Sequence, residues 1–282
     1  MRPPQEAKQG PLAANALGAL PAPLRVDQRP LAGFLLDALI ALVVLLGVSL
    51  LTGLLWALYR IAQLALQGAL PTQADRLMGA LGQPGAQSML WMTLVSTGTA
   101  ALVVYYWRRP ASAAEHAISR SALRLPRTWG WVAVTAVATF LFSSALSALG
   151  QALDIAPEPT NLPAIEAAFT ASPVFMWLFG SVIAPAYEEL LFRRVLFGRL
   201  WAAGRPWLGL VLSSAAFALM HELPGTGSNS LAATALLWLT YAGMGAAFGL
   251  VYWHTRTLWA AVAAHALNNT IALTLLNLYG FD

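Results

Sequence analysis

The sequence has 282 residues, of which 58% are hydrophobic and only 10% charged, with a net charge of +4 and no cysteine. Soluble domains carry about 25% charged residues, so this composition is typical of a membrane protein built as one helical bundle. The lack of cysteine excludes disulfides, thiolate catalysis and thiolate metal sites. The arginines lie between apolar segments, a pattern that indicates membrane topology rather than nucleic-acid binding.

The chain begins with a segment unlike the rest. Residues 1–30 are rich in proline, alanine and glutamine and have no long apolar core. This pattern predicts a disordered cytoplasmic tail, not a cleaved signal peptide. Residues 31–282 are predicted to form a single transmembrane domain.

Seven apolar segments follow, each close to the roughly 20 residues that a helix needs to cross the hydrocarbon core. They are residues 31–59, 88–107, 128–149, 172–193, 206–222, 231–253 and 257–279. The mixed segment 60–87 is predicted to be a loop with a short interfacial helix, and either it or residues 172–204 has room for one more membrane element. The predicted fold is therefore an all-α, polytopic transmembrane helical bundle of about seven to eight spans.

The distribution of arginine predicts the orientation. With the N-terminus in the cytoplasm, the arginine-rich connections all face the cytoplasm and the acidic segment 150–171 faces outward, while only Arg60 and Arg76 lie on the wrong side. The abundant alanine and tryptophan and the lack of sorting signals favour the plasma (inner) membrane of a prokaryote. Asp37, near the start of the first span, has two interpretations: a buried partner of an arginine or a residue at headgroup level.

The fourth apolar segment contains two adjacent carboxylates, Glu188 and Glu189. An ionised side chain at membrane depth costs about 3 kcal/mol, so such residues are candidates for function. Glu189 lies four residues before Arg193, the favourable order for an ion pair on a helix. Glu188 is rotated by about 100° from Glu189 and lacks that partner, which suits it to act as a general base. The alternative is that both glutamates are hydrated at the cytoplasmic end of the helix and only define topology.

Two of the four histidines also lie in apolar segments. His221 shares a helical face with Phe217, and His265 shares one with Asn269. Such groups are costly in lipid unless they face a polar cavity, although they also occur as interhelical hydrogen bonds worth about 0.6–2 kcal/mol. A zincin motif is excluded at His221, because Gly225 stands where the second histidine is needed.

Together these residues resemble the CAAX protease and bacteriocin-processing (CPBP, Abi) family of intramembrane peptidases, which includes the type II CAAX prenyl endopeptidase. The resemblance rests on three motifs in order, Glu-Glu-x-x-x-Arg, Phe-x-x-x-His and His-x-x-x-Asn. They are formed by Glu188, Glu189 and Arg193, by Phe217 and His221, and by His265 and Asn269. The resemblance covers residues 172–269 and predicts a peptidase core at 172–279.

The resemblance implies hydrolysis of a peptide bond in a membrane-associated or lipidated peptide, inside a cavity that opens to the cytoplasm. It implies that Glu188, helped by His221, activates water, and that His265 and Asn269 stabilise the oxyanion. Glu189, Arg193 and Phe217 are implied to hold the shape of the site.

The predicted partners are a peptide or lipidated protein substrate and membrane lipid, with no nucleic acid. The cofactor is either none or a divalent metal such as zinc, and the sequence does not decide between these. If a metal is present, its predicted ligands are Glu188, His221 and His265.

Two questions stay open at this stage. A transporter, or a peptide-binding or assembly protein without catalysis, uses a buried polar cluster equally well, although no internal repeat favours a transporter.

On straight helices, His221 lies about 22 Å along the axis from the cytoplasmic start of its span, whereas Glu188 lies near the cytoplasmic end of its own. We therefore predict a long fourth helix that continues to about Leu200.

Overall fold

The computed structural model describes residues 29–155, 157–225 and 227–279. Within these ranges the chain forms ten helices and no strand. They are α1 (Pro30–Leu66), α2 (Ala74–Leu81), α3 (Ala86–Arg108), α4 (Ala113–Leu123), α5 (Pro126–Ala152), α6 (Leu162–Ala171), α7 (Pro173–Ala202), α8 (Pro206–His221), α9 (Leu231–Thr255) and α10 (Leu258–Tyr279). The predicted tail lies outside the described residues except for Arg29 and Pro30, where α1 begins.

Six helices, α1, α3, α5, α7, α9 and α10, are long and apolar enough to cross a membrane. This confirms the predicted all-α polytopic bundle. The fifth predicted span, residues 206–222, corresponds to α8, which has 16 residues and is not among these six. Since a helix rises about 1.5 Å per residue, α8 is about 24 Å long, shorter than the roughly 30 Å hydrocarbon core.

Two element boundaries differ from the prediction. The first helix does not end at residue 59 but continues to Leu66, because Arg60 bonds Gln63 one turn further on and no helix breaker occurs before Gly68, whose φ is +66°. Residues 162–171, expected within an acidic loop, form the apolar helix α6, because Phe169 packs against Met176 and Leu273. The short helix predicted in segment 60–87 is α2.

Helix α7 lies at the centre of the bundle. Within its most apolar stretch 39% of the residues are buried, against 17% in α1 and in α5, because α7 packs against α1, α3, α8, α9 and α10. It continues to Ala202, which confirms the predicted long helix. A left-handed glycine, Gly204, then ends it, and the Arg205 N–H donates back to the carbonyl oxygen of Leu200 at 2.8 Å.

Buried ion pairs tie the C-terminal half of α7 to its neighbours. Asp37 of α1 is fully buried and accepts hydrogen bonds from Arg108 at 2.9 Å and Arg199 at 2.6 Å. Of its two interpretations, the buried partner of an arginine is therefore the one that the structure supports. Arg194 donates to both carboxylate oxygens of Glu115, at 2.6 and 2.9 Å. Glu115 also closes the capping box that starts α4.

Two loops meet at the opposite end of the bundle, where α8 ends. Glu222 is 1% exposed, and its carboxylate accepts a hydrogen bond from the Thr160 N–H at 2.8 Å. The Asn229 side chain bonds both the backbone N–H and the carbonyl oxygen of Glu158. These bonds hold the loop before α6 against the loop after α8.

Candidate active site

Helix α7 places a fully buried ion pair at the centre of the site. Glu189 and Arg193 are both 0% exposed, and the Arg193 Nε lies 3.0 Å from Glu189 Oε2, which confirms the pairing expected from their spacing. The guanidinium carbon of Arg193 also lies 4.6 Å from the centre of the Phe217 ring. An aromatic face stabilises a desolvated cation, so Phe217 supports the pair.

His265 of α10 lies between the two glutamates. Its Nδ1 is 2.9 Å from Glu189 Oε1, and its Nε2 is 3.8 Å from Glu188 Oε2. A carboxylate can only accept, so Nδ1 carries the hydrogen and donates it to Glu189. Glu189 therefore fixes the tautomer and orientation of His265 and directs Nε2 toward Glu188. Unlike Glu189, Glu188 is 20% exposed at its side chain.

His221 is the last residue of α8. Its Nδ1 lies 2.9 Å from the carbonyl oxygen of Phe217, so Nδ1 donates the hydrogen, and Nε2 of the neutral ring is an acceptor. The Phe217 ring lies 4.3 Å from the His221 ring and 5.9 Å from the His265 ring. Phe217 is thus the side chain that contacts both histidines.

The sequence predicted a large axial distance between Glu188 and His221 on straight helices. In the structure α8 runs antiparallel to the end of α7, and this distance disappears. From Glu188 to the end of α7 the chain advances about 14 residues, and from the start of α8 to His221 it returns about 15, or roughly 22 Å each way. His221 therefore comes back to the level of Glu188. The length of α7 beyond Arg194 makes this possible.

Asn269 contacts a π-helical turn of α7, Phe179–Ile183. Its Nδ2 donates to the carbonyl oxygen of Gly180 at 3.0 Å. In a π-helix the carbonyl oxygen of Gly180 would accept a hydrogen bond from the backbone N–H of residue 185. Residue 185 is a proline and has no backbone N–H. The asparagine thus satisfies a buried backbone acceptor, and the second N–H of its amide stays available to a ligand.

Two aromatic residues of α9 belong to the site and were missed by the sequence analysis. Tyr241 stacks on His221 with ring centres 4.5 Å apart, and Phe248 stacks on His265 at 4.5 Å. They are seven residues apart and share a helical face, a spacing that was visible in the sequence. Core aromatics at helical spacing are common, so that signal by itself did not distinguish them.

The possible metal ligands do not converge. Among the residues that the structure describes, no group of three histidine or acidic side chains is arranged to hold a metal ion. The Nδ1 atoms of His221 and His265 are bonded to Phe217 and Glu189. Glu188, His221 and His265 therefore do not form a ready metal site.

A cavity of about 730 Å³ lies beside this site. Tyr187 and Leu190 of α7 line it together with residues of α3, α4 and α10, and most of its wall is apolar. Glu188, His221, His265 and Asn269 are not among its lining residues. The cavity therefore lies on another face of α7 than the candidate catalytic groups.

Comparison with known proteins is consistent with this site. Residues 170–271 match the sequence profile of the Rce1-like family, described as type II CAAX prenyl endopeptidase Rce1-like. The chain is 29% identical over 119 residues to the putative membrane peptidase YdiL of Bacillus subtilis, covering 42% of this chain and 44% of that protein. It is 30% identical over 99 residues to the membrane-embedded CAAX protease MroQ of Staphylococcus aureus, covering 34% and 37%.

The matched region is limited. The chain spans less than half the length of these curated relatives. No solved structure matches it. The matched residues nevertheless include all three motifs and extend from the end of α6 into α10.

Proposed function

We propose that this multi-pass membrane protein is an intramembrane endopeptidase, because residues 170–271 match the Rce1-like family model, described as type II CAAX prenyl endopeptidase. Its proposed substrate is a membrane-associated or lipidated peptide or protein. The observation that supports this most strongly is the cluster of Glu188, His265, Glu189 and Arg193, in which one carboxylate is fully paired and the other is not.

The partly exposed Glu188 is the proposed general base. It takes a proton from a water molecule, whose oxygen attacks the carbonyl carbon of the scissile peptide bond. His221 assists through Nε2, which its bond to the Phe217 carbonyl leaves as an acceptor. When the intermediate collapses, the C–N bond breaks and the proton held by Glu188 passes to the departing amine. The products are a carboxylate and an amine.

His265 and Asn269 are the proposed oxyanion donors. A protonated His265 has an Nε2–H that donates to the developing negative charge, while Glu189 holds the other side of the ring. The second amide N–H of Asn269 supplies another donor. Removing one such donor typically lowers kcat about 100- to 1,000-fold.

The proposed location is the inner membrane of a prokaryote, with the N-terminus and the opening of the active site on the cytoplasmic side. The arginine distribution supports this orientation. The peptidase relatives that match the chain come from two bacteria, which supports a bacterial setting.

The test is cleavage of a quenched-fluorescent peptide panel, including a farnesylated CAAX peptide, by the purified full-length protein in detergent. We expect hydrolysis that Glu188→Gln abolishes. The matched control is Asp75→Asn, which also replaces a carboxylate by an amide, because Asp75 is exposed on the short helix α2 and not next to His221. A parallel assay with a chelator, and then with added zinc, decides metal dependence.

Two results would overturn the proposal. Full activity in Glu188→Gln would remove Glu188 as the base. No cleavage of any peptide by a well-folded protein would instead favour a transporter or a non-catalytic peptide-binding protein.

A further inference from the structure

One face of α9 lies against both histidines of the candidate site. Trp238, Tyr241, Gly245 and Phe248 are spaced by three, four and three residues, so they form a single stripe along the helix. At one end, the Trp238 Nε1–H donates to the carbonyl oxygen of Glu222 at 2.8 Å, next to His221. At the other end Phe248 reaches His265. The stripe therefore contacts both histidines and the end of α8.

Tyr241 and Phe217 enclose the ring of His221. The Tyr241 ring lies at 4.5 Å and 27° to it, and the Phe217 ring at 4.3 Å and 42°. The bond from Nδ1 to the Phe217 carbonyl fixes one edge of the imidazole. Without such contacts the second torsion of a histidine side chain is broad, so the two rings restrict the direction in which Nε2 points.

Phe248 does the same for His265. It is fully buried and lies nearly parallel to the imidazole, with ring centres 4.5 Å apart at an angle of 16°. The Glu189 carboxylate holds Nδ1 in the ring plane, at 2.9 Å. An in-plane hydrogen bond and a stacked face together leave the ring little freedom to rotate.

Small residues allow α9 to approach closely enough for these contacts. A side-chain carbon added at Gly245 would lie 3.1 Å from the Cα of Ser214 in α8, and one added at Gly249 would lie 2.5 Å from the Leu210 side chain. The sequence from Gly245 to Gly249 therefore has the Gly-x-x-x-Gly spacing that brings membrane helices together. This close contact brings the larger side chains of the stripe to the histidines.

We infer that Tyr241 and Phe248 are positioning residues, which fix the imidazole rings of His221 and His265 through ring stacking. Tyr241 acts through the face of its ring and not through its hydroxyl group. The consequence for turnover rests on the proposed peptidase function, but the consequence for ring placement does not. The two can therefore be tested separately.

The first measurement is NMR of the full-length protein carrying 13C-labelled histidine, with the four histidine signals assigned by substitution. Protons stacked against an aromatic ring are shifted upfield by its ring current. In Tyr241→Leu we expect the His221 ring signal to move downfield, whereas in Tyr241→Phe it stays in place. Phe248→Leu is expected to move the His265 signal instead. The control is Leu239→Ala, at an exposed position of the same helix.

The second measurement is peptidase kinetics on the same variants. Misplacing a catalytic group by about 1 Å costs up to roughly 100-fold, so we expect kcat of Tyr241→Leu and Phe248→Leu to fall about 10- to 100-fold with little change in KM. Tyr241→Phe is expected to keep most of kcat, which separates the ring from the hydroxyl.

Each alternative result has a defined meaning. If Tyr241→Leu leaves the His221 signal unmoved, or if Tyr241→Phe loses as much kcat as Tyr241→Leu, the inference is wrong. If no peptide is cleaved by any form of the protein, the proposed function fails, while the NMR shifts still decide whether the rings are stacked on the histidines in the folded protein.

Discussion

Helix α7 contains two clusters of buried charge that differ in how completely they are paired. Near its C-terminal end, Asp37 has two arginine partners at 2.6 and 2.9 Å, and Glu115 has a bidentate arginine. Six to eleven residues earlier along α7, the ion pair of Glu188 within the described part of the chain is a longer one, with His265 Nε2 at 3.8 Å. The first cluster has the pairing expected of structural ion pairs, and the second leaves one carboxylate available for chemistry.

The largest expected effect is on peptidase activity. It is measured by comparing substitutions of the two adjacent glutamates, Glu188 and Glu189. Glu188→Gln should lower kcat about 100- to 10,000-fold, as for loss of a general base, with an unchanged melting temperature. Glu189→Gln should lower both activity and stability, because it leaves the buried Arg193 without its counter-charge. Peptide hydrolysis and thermal unfolding in detergent measure the two quantities. Equal melting temperatures for the two variants would show that Glu189 is not the structural member of the pair.

The next effect concerns stability at the C-terminal end of α7. Asp37→Asn removes the buried carboxylate that Arg108 and Arg199 share, and Arg199 is only 8% exposed at its side chain, so we expect a loss of about 3–5 kcal/mol in unfolding free energy. Activity per folded molecule should be nearly unchanged. The control is Asp75→Asn in the exposed part of α2. A loss of activity without a loss of stability would place Asp37 in the catalytic machinery instead.

The smallest effect is the pH dependence of the half-buried Glu115. Burial opposes its ionisation, but hydrogen bonds from Arg194 and from the Ser112 backbone outweigh burial and lower the pKa of Glu115 below its ordinary value of 4.5. Its contribution to the attachment of α4 is therefore complete above pH 4.5 and is lost as the pH falls through the lowered pKa. Hydrogen exchange of α4, corrected for intrinsic rates, should show this loosening. In Glu115→Gln the acid-dependent step should be absent, and its persistence would assign the step to another group.

The sequence predicted those parts of the site that depend on local spacing. The pairing of Glu189 with Arg193 follows from a separation of four residues, and the long α7 followed from the need to bring His221 level with Glu188. Their common location with His265 was expected only through the family resemblance. The helices themselves were recognisable, because seven long apolar segments leave few alternatives.

The remainder depends on contacts between distant parts of the chain. Asp37 and Arg199 are 162 residues apart, and nothing in the local sequence of either specifies the other. The stacking of Tyr241 on His221 depends on how closely α9 approaches α8, which the glycines permit but do not by themselves define. The π turns of α7 were not predicted either.

The short length of α8 has a consequence for the surrounding lipid. Trp207 and Val211 are 65% and 63% exposed, so α8 faces the bilayer along part of its length although it is about 6 Å shorter than the hydrocarbon core. Such hydrophobic mismatch is relieved by local thinning of the membrane. Water and headgroups then approach the end of α8 where His221 lies. Bilayer thickness is thus a physical variable coupled to this site, and thicker lipids would oppose the hydration that the proposed hydrolysis requires.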